Sequence, residues 1–169
     1  ITNNTVVNNT ISGISLLNGG NNSIISNIII NNSVGINITT SDNNTIYNNF
    51  FSNTYDAYET GSSNSWNTTN TSDTNIVNRE AMGGNYWSYY NGADNGNATL
   101  AGVPNRSSDG FGDTNIPFTN YGNFTRGDFL PLIGAACTES WNCTGYSACV
   151  GSSQSQTCTD LNGCGTTTQ

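Results

Sequence analysis

The chain has 169 residues, only 8% of them charged, with no histidine, three cations (Arg79, Arg106 and Arg126) and a net charge of -8. Such a composition excludes a nucleic-acid partner, because phosphate recognition rests on clustered Lys and Arg, and it withdraws the His and Lys groups that carry most acid–base and nucleophilic chemistry. No apolar run approaches the ~20 residues a membrane-spanning helix needs, and the Ile and aromatic content argues against disorder.

From the first residues onward the chain repeats itself. Asn21-Asn22-Ser23-Ile24 returns 22 residues later as Asn43-Asn44-Thr45-Ile46. The same interval lays Val6-Val7 on Ile28-Ile29 and on Phe50-Phe51, and Gly13-Ile14 on Gly35-Ile36 and then on Ala57-Tyr58. Short apolar spots at that period, separated by Asn, Gly, Ser and Thr, predict β-solenoid coils over residues 1–82, since one coil cannot bury its apolar face alone. Strand alternation then turns Ile36 and Ile38 inward and Asn37 outward, with Ile14 and Leu16 their equivalents one coil earlier. Asn27 and Asn49 align at a corner and predict a stacked amide ladder. In this register Asp56 falls on Val34, near a turn, and Glu59 falls on Asn37, pointing outward. They are the nearest acidic pair, but no cation accompanies them, so sugar-cleaving chemistry is not expected. Ile1 enters the repeat partway, which reads as a processed chain or a portion of a longer one.

Where the repeat fades, Trp66, Tyr86, Trp87, Tyr89 and Tyr90 supply large rings suited to closing the C-terminal end of a narrow core. An aromatic platform for sugar stacking is the alternative reading. Further on, Asp109-Gly110-Phe111-Gly112-Asp113 sets two carboxylates on a Gly-bent loop. With Asp94 they could form an oxygen cage for calcium, or simply cap tight turns.

The block Gly83-Gly84-Asn85-Tyr86-Trp87-Ser88-Tyr89-Tyr90, the Asp109–Asp113 loop and Phe129-Leu130-Pro131-Leu132 resemble the tail of the NosD-like family. That resemblance, carried over residues 1–133, implies an all-β fold, a right-handed parallel β-helix with an aromatic-capped loop region over 83–133. The family's fuller Asp/Gly loop is split here, Asp94-Asn95-Gly96 lying far from Asp109. Founding members are linked to copper maturation, a role that calls for His, Met or Cys ligands. With no His and Met82 alone, copper is not expected. No cofactor is required; a structural calcium at Asp94, Asp109 and Asp113 is a candidate, set against the turn-capping role of the same carboxylates.

All five cysteines (Cys137, Cys143, Cys149, Cys158 and Cys164) fall in residues 134–169. With no Cys-x2-Cys pair and no His, zinc is disfavoured and disulfides in an oxidising compartment are expected, with pairing open and one sulfur left over. Trp141-Asn142-Cys143-Thr144 and Gln156-Thr157-Cys158 resemble thrombospondin type 1-like repeats. They imply a small disulfide-rich module, read as truncated.

Twelve Asn-x-Ser/Thr sequons occur, at Asn3, Asn8, Asn21, Asn31, Asn37, Asn43, Asn67, Asn70, Asn97, Asn105, Asn123 and Asn142. They are candidates for covalent N-glycans, and Asn37, Asn67, Asn70 and Asn97 are favoured by outward or loop positions. The combined expectation is an extracellular or cell-surface structural glycoprotein, not an enzyme, associating as a homo-oligomer into a filament or surface layer. An adhesin-type module holding polysaccharide is the alternative, and a polysaccharide lyase-like enzyme a more distant third.

Overall fold

The computed structural model describes residues 1–60, 63–96, 109–118, 127–134, 141–144 and 158–160. The chain divides into two compact units, Ile1–Ala135 and Ala136–Gln169.

Unit 1 is wound from short strands. The first coil holds β1 (Thr5–Val7) and β2 (Ser12–Leu17). The second runs through β3 (Ser23–Ile25), β4 (Ile28–Ile30) and β5 (Val34–Thr39), and the third through β6 (Thr45–Tyr47), β7 (Phe50–Ser52) and β8 (Tyr55–Glu59). An excursion, β9 (Thr71–Thr74) paired antiparallel with β10 (Glu80–Met82), precedes β11 (Tyr86–Trp87). The coils stack into three parallel sheets, ordered β1-β4-β7-β11, β2-β5-β8 and β3-β6. An all-β parallel solenoid with an aromatic cluster is therefore the fold of this unit.

Period-2 alternation sends one apolar side chain inward from each three-residue strand of the coils and two from each of β2 and β5. Val6, Ile29, Phe51 and Trp87 are in register, as are Ile14 with Ile36, Leu16 with Ile38, and Ile24 with Ile46. These residues form one continuous core. Phe51 and Trp87 stack at 4.8 Å, Trp66 lies 5.7 Å from Trp87, and Phe118 lies 4.4 Å from Trp66, so aromatic rings close the end of the column.

The 22-residue interval holds for the second sheet's first pair, Ile14 with Ile36, but not throughout. Val6 pairs with Ile29 rather than Ile28, because the corner between β1 and β2 is one residue longer than that between β4 and β5. Going into β8 the corner is one residue shorter, so Ile36 pairs with Ala57, Asn37 with Tyr58 and Ile38 with Glu59. A one-residue slip turns every side chain to the other face. Glu59, expected outward, is therefore an inward residue at 3% exposure, and Asp56 is buried too. Tyr58 takes the outward place.

Polar columns run beside the apolar one. In the first, the backbone N–H and Nδ2 of Asn4 both donate to Asn27 Oδ1, those of Asn27 to Asn49 Oδ1 at 3.0 and 2.9 Å, and those of Asn49 to Asn85 Oδ1 at 3.1 and 2.9 Å. The amide of Asn85 donates in turn to Asp128 Oδ2. A second column runs Asn9, Asn32, Asn53 and ends on Asp56. A third runs Asn22, Asn44, Asn64 and ends on Glu59. The residues just before these ladder positions, Asn3, Asn8, Asn21, Asn31, Asn43 and Asn48 among them, hold left-handed backbone angles, φ 56 to 61°. Asn tolerates that conformation better than most residues. Close stacking also needs glycine: a Cβ on Gly35 would stand 2.5 Å from the Asp56 carbonyl oxygen and 2.6 Å from Asn53 Nδ2.

The tail departs from expectation. What is described of unit 2 is one antiparallel ladder, β12 (Trp141–Cys143) with β13 (Cys158–Asp160), in which Cys143 faces Cys158. Cys143 is disulfide-bonded, while Cys137, Cys149 and Cys164 lie outside the described residues. A ladder with one bonded cysteine does not amount to a disulfide-rich, thrombospondin type 1-like module, and that expectation is withdrawn.

Replacing Asn49 with Ala removes the acceptor for two buried donors of Asn27 and the donor to Asn85. An unsatisfied buried polar group costs about 1–3 kcal/mol, so Asn49→Ala is expected to lose about 3 kcal/mol or more in urea unfolding, against less than about 1 kcal/mol for Asn4→Ala on the exposed first coil.

A tyrosine-lined groove at the edge of the last coil

The first sheet has a fourth strand, β11, but the sheet β2-β5-β8 stops at its third. Instead of supplying a strand beside β8, the chain leaves through Tyr89, Tyr90 and Asn91 and passes again at residues 115–118. A groove of roughly 770 Å³ is left between β8 and these loops, within the usual range for ligand sites. Its walls carry Tyr55, Tyr58 and Tyr89, exposed at 68, 44 and 56%, with Tyr90, Phe118 and the amides of Asn37, Asn91 and Asn115 around them.

The loops are tied down. Tyr89 Oη accepts the Phe118 N–H at 3.2 Å, Tyr90 Oη donates to the Thr114 carbonyl, and Asn115 Nδ2 donates to Asn91 Oδ1 at 3.3 Å. Burial pushes both the Tyr89 and Tyr90 hydroxyls up to about 12, so they stay neutral at physiological pH.

Three carboxylates sit beneath and beside the groove, each occupied as a ladder terminus. Glu59 accepts from Asn64 Nδ2 at 2.6 Å and from Trp66 Nε1 at 2.9 Å. Asp56 Oδ1 accepts the backbone N–H of Asn53 at 2.7 Å and its Nδ2 at 3.0 Å, while Oδ2 is buried without a partner. Burial raises the Asp56 pKa. Asp128, fully buried, accepts from Asn85 N–H at 2.6 Å, Trp87 Nε1 at 2.9 Å and Leu130 N–H at 3.1 Å. Desolvation nonetheless pushes it up to about 7. Committed to structural donors, none of the three stands free in the groove as a general acid or base.

Asp94, Asp109 and Asp113 come together in the neighbouring loops, each holding backbone. Asp94 accepts Asp109 N–H at 3.3 Å and Gly110 N–H at 3.0 Å, Asp109 accepts Phe111 N–H at 3.0 Å, and Asp113 Oδ2 accepts Asn95 N–H at 2.6 Å and Gly96 N–H. Asp113 Oδ1 is buried with no partner. Among the described residues, no three His, Cys, Asp or Glu side chains are grouped so as to hold a metal ion.

Of the sequon asparagines, Asn3, Asn8, Asn21, Asn31, Asn43 and Asn70 are exposed, Asn37 and Asn67 are half-buried, Asn97, Asn105 and Asn123 fall outside the described residues, and for Asn142 only the backbone is described. Trp66 and Trp87 are buried in the core closure, leaving Tyr89 and Tyr90 as the expected aromatics that reach the groove. Tyr55, Tyr58, Asn91, Asn115 and Asp128 escaped sequence reasoning. The ladder residues Asn32 and Asn53, 21 apart, were the signal that could have corrected the register and turned Tyr58 outward.

Among known proteins, the family model described as "Periplasmic copper-binding protein (NosD)" matches residues 1–92. Neither the curated proteins nor the solved structures include a match. Nothing therefore supports the thrombospondin-like resemblance of the tail. No helix among the described residues is long and apolar enough to cross a membrane.

Asp128 makes stability depend on pH. The folded chain holds this proton up to about pH 7, whereas an unfolded Asp releases it near 3.9. Between those values the folded state binds more protons, so the stabilisation is complete below pH ~4 and is lost as pH rises through 7. Unfolding free energy should therefore fall by a few kcal/mol from pH 4 to pH 8. Asp128→Asn should flatten most of that slope, leaving a smaller part from Asp56; a flat parent profile would refute the assignment.

Proposed function

The chain belongs to the NosD family, and we propose that this member is a non-catalytic β-solenoid of the cell surface that holds carbohydrate in its tyrosine groove. The observation that carries the reading is three exposed tyrosine rings set around a cavity with three side-chain amides. Flat aromatic faces cover the C–H faces of sugar rings, and amides both donate and accept toward hydroxyls. The family's periplasmic description supports a location outside the cytoplasm, of which the cell surface is our finer reading.

Copper, also named in that description, does not fit these residues. The chain has no His and a single methionine, Met82, its five cysteines all lie in residues 134–169, outside the matched region, and the carboxylates near the groove are hard donors already holding backbone N–H groups. Catalysis is disfavoured on similar grounds, since Asp56, Glu59 and Asp128 each terminate an amide column.

The first coil favours a second reading. Ile1, Val7, Ile11 and Leu17, the last two at 78 and 66% exposure, are exposed along its strands and corners, as an association surface between copies would require. Monodisperse monomers of the full chain at high concentration would remove it. N-glycans at the exposed corner sequons would accompany either reading, with intact-mass analysis of the native protein as the check.

On a glycan array the protein should retain saccharides without releasing product. Tyr58→Ala and Tyr89→Ala should each weaken retention about tenfold, or ~1.4 kcal/mol, with the unfolding midpoint of Tyr58→Ala unchanged because its ring is exposed. Release of shortened sugars would replace this reading with an enzymatic one.

A further inference from the structure

We propose that the groove selects neutral glycans and rejects acidic ones, reading uncharged pyranose rings with Tyr55, Tyr58 and Tyr89 and their hydroxyls with Asn37, Asn91 and Asn115. This rests on the carbohydrate reading above and adds the ligand's chemical class.

Charge is the first argument. None of the described residues that line the groove is cationic, while Glu59 forms part of its wall. Asp56 and Asp128 both act electrostatically on the Tyr89 hydroxyl, and Asp128, Asp113 and Asp94 on that of Tyr90, so the carboxylates around this end of the groove disfavour a further negative charge beside those two hydroxyls. Of the three arginines, Arg79 is engaged with the Ile133 carbonyl, and Arg106 and Arg126 lie outside the described residues. A uronate, sulfate or phosphate entering the groove would lose hydration without gaining a counter-charge, a cost that a neutral sugar avoids.

The second argument concerns the competing occupant. As the last strand of its sheet, β8 could in principle pair with an extended peptide. Its inward acids Asp56 and Glu59 are the kind of device by which natural sheets blunt an edge. Its outward side chains Tyr55 and Tyr58 instead offer rings to the groove. Aromatic faces framed by amides suit a sugar, whose polar rim and apolar face differ, better than a uniform strand of peptide groups.

The test is calorimetric titration of the full chain at pH 7 and low salt with two panels, neutral oligosaccharides (malto-, manno- and chito-series) and uronate oligosaccharides of matched length. At least one neutral series should bind, with the uronates tenfold or more weaker. Asn91→Lys, which adds a cation at the exposed rim, should raise uronate affinity about tenfold, more at low salt than at high salt. Uronates binding as tightly as neutral sugars, or no gain in Asn91→Lys, would overturn the neutral-class assignment while leaving the carbohydrate reading in place. Failure of both panels, or binding of extended peptides instead, would overturn both.

Discussion

An amide can extend a column of amides but cannot finish it. In this chain each ladder asparagine uses its Oδ1 to receive the backbone N–H and the Nδ2 of the coil before it, and sends its own N–H groups to the coil after it. The amide-to-amide bonds of the columns all point one way, toward the C-terminal end, while Nδ2 of Asn27, Asn49 and Asn85 also donates back to a carbonyl of the preceding coil. The last member must therefore be a group that only accepts, and Asp128, Asp56 and Glu59 fill that place in the three columns. Scarce charge is thus spent where the hydrogen-bond polarity demands a carboxylate.

The terminators also position what lies around them. Asp128 gathers Asn85, Trp87 and Leu130 onto one buried carboxylate, joining the closing segment to the end of the core. Gly84 has to be glycine there, because a Cβ would stand 2.0 Å from Asp128 Oδ1. Glu59 holds the Trp66 indole under the same closure. With acids turned in to meet amides, the neighbouring tyrosines of β8 are left facing out. The groove and its rings are thus a consequence of how the columns end.

Family membership and site chemistry separate in this molecule. The match over residues 1–92 covers the coils and the Tyr86–Trp87 rung, which is the scaffold. The chain has no His and a single Met, its five cysteines all fall in residues 134–169, and the groove draws its far wall from residues 115–118, so cysteines and wall both lie beyond the match. Shared coils and divergent loops are what a solenoid permits, since each coil contacts mainly its neighbours and loops vary without disturbing the stack.

The parallel coils, the inward Ile36 and Ile38, the Asn27–Asn49 ladder and the aromatic closure by Trp66 and Trp87 were legible in the sequence, because stacking repeats the same local requirements at each turn. Two corners of altered length were not. The corner that leads into the sheet β2-β5-β8 loses one residue at each successive coil, and the loss before β8 reverses which side chains meet the core, so Glu59 and Tyr58 exchanged roles. Asp128 could not be assigned from local pattern either, since its partners Asn85 and Trp87 lie 43 and 41 residues away. In the tail, cysteine count suggested a framework that a single described ladder does not supply. Sequence by itself determined a stacked solenoid poor in cations; only the tertiary structure decided where the columns end, and with that which tyrosines face the groove.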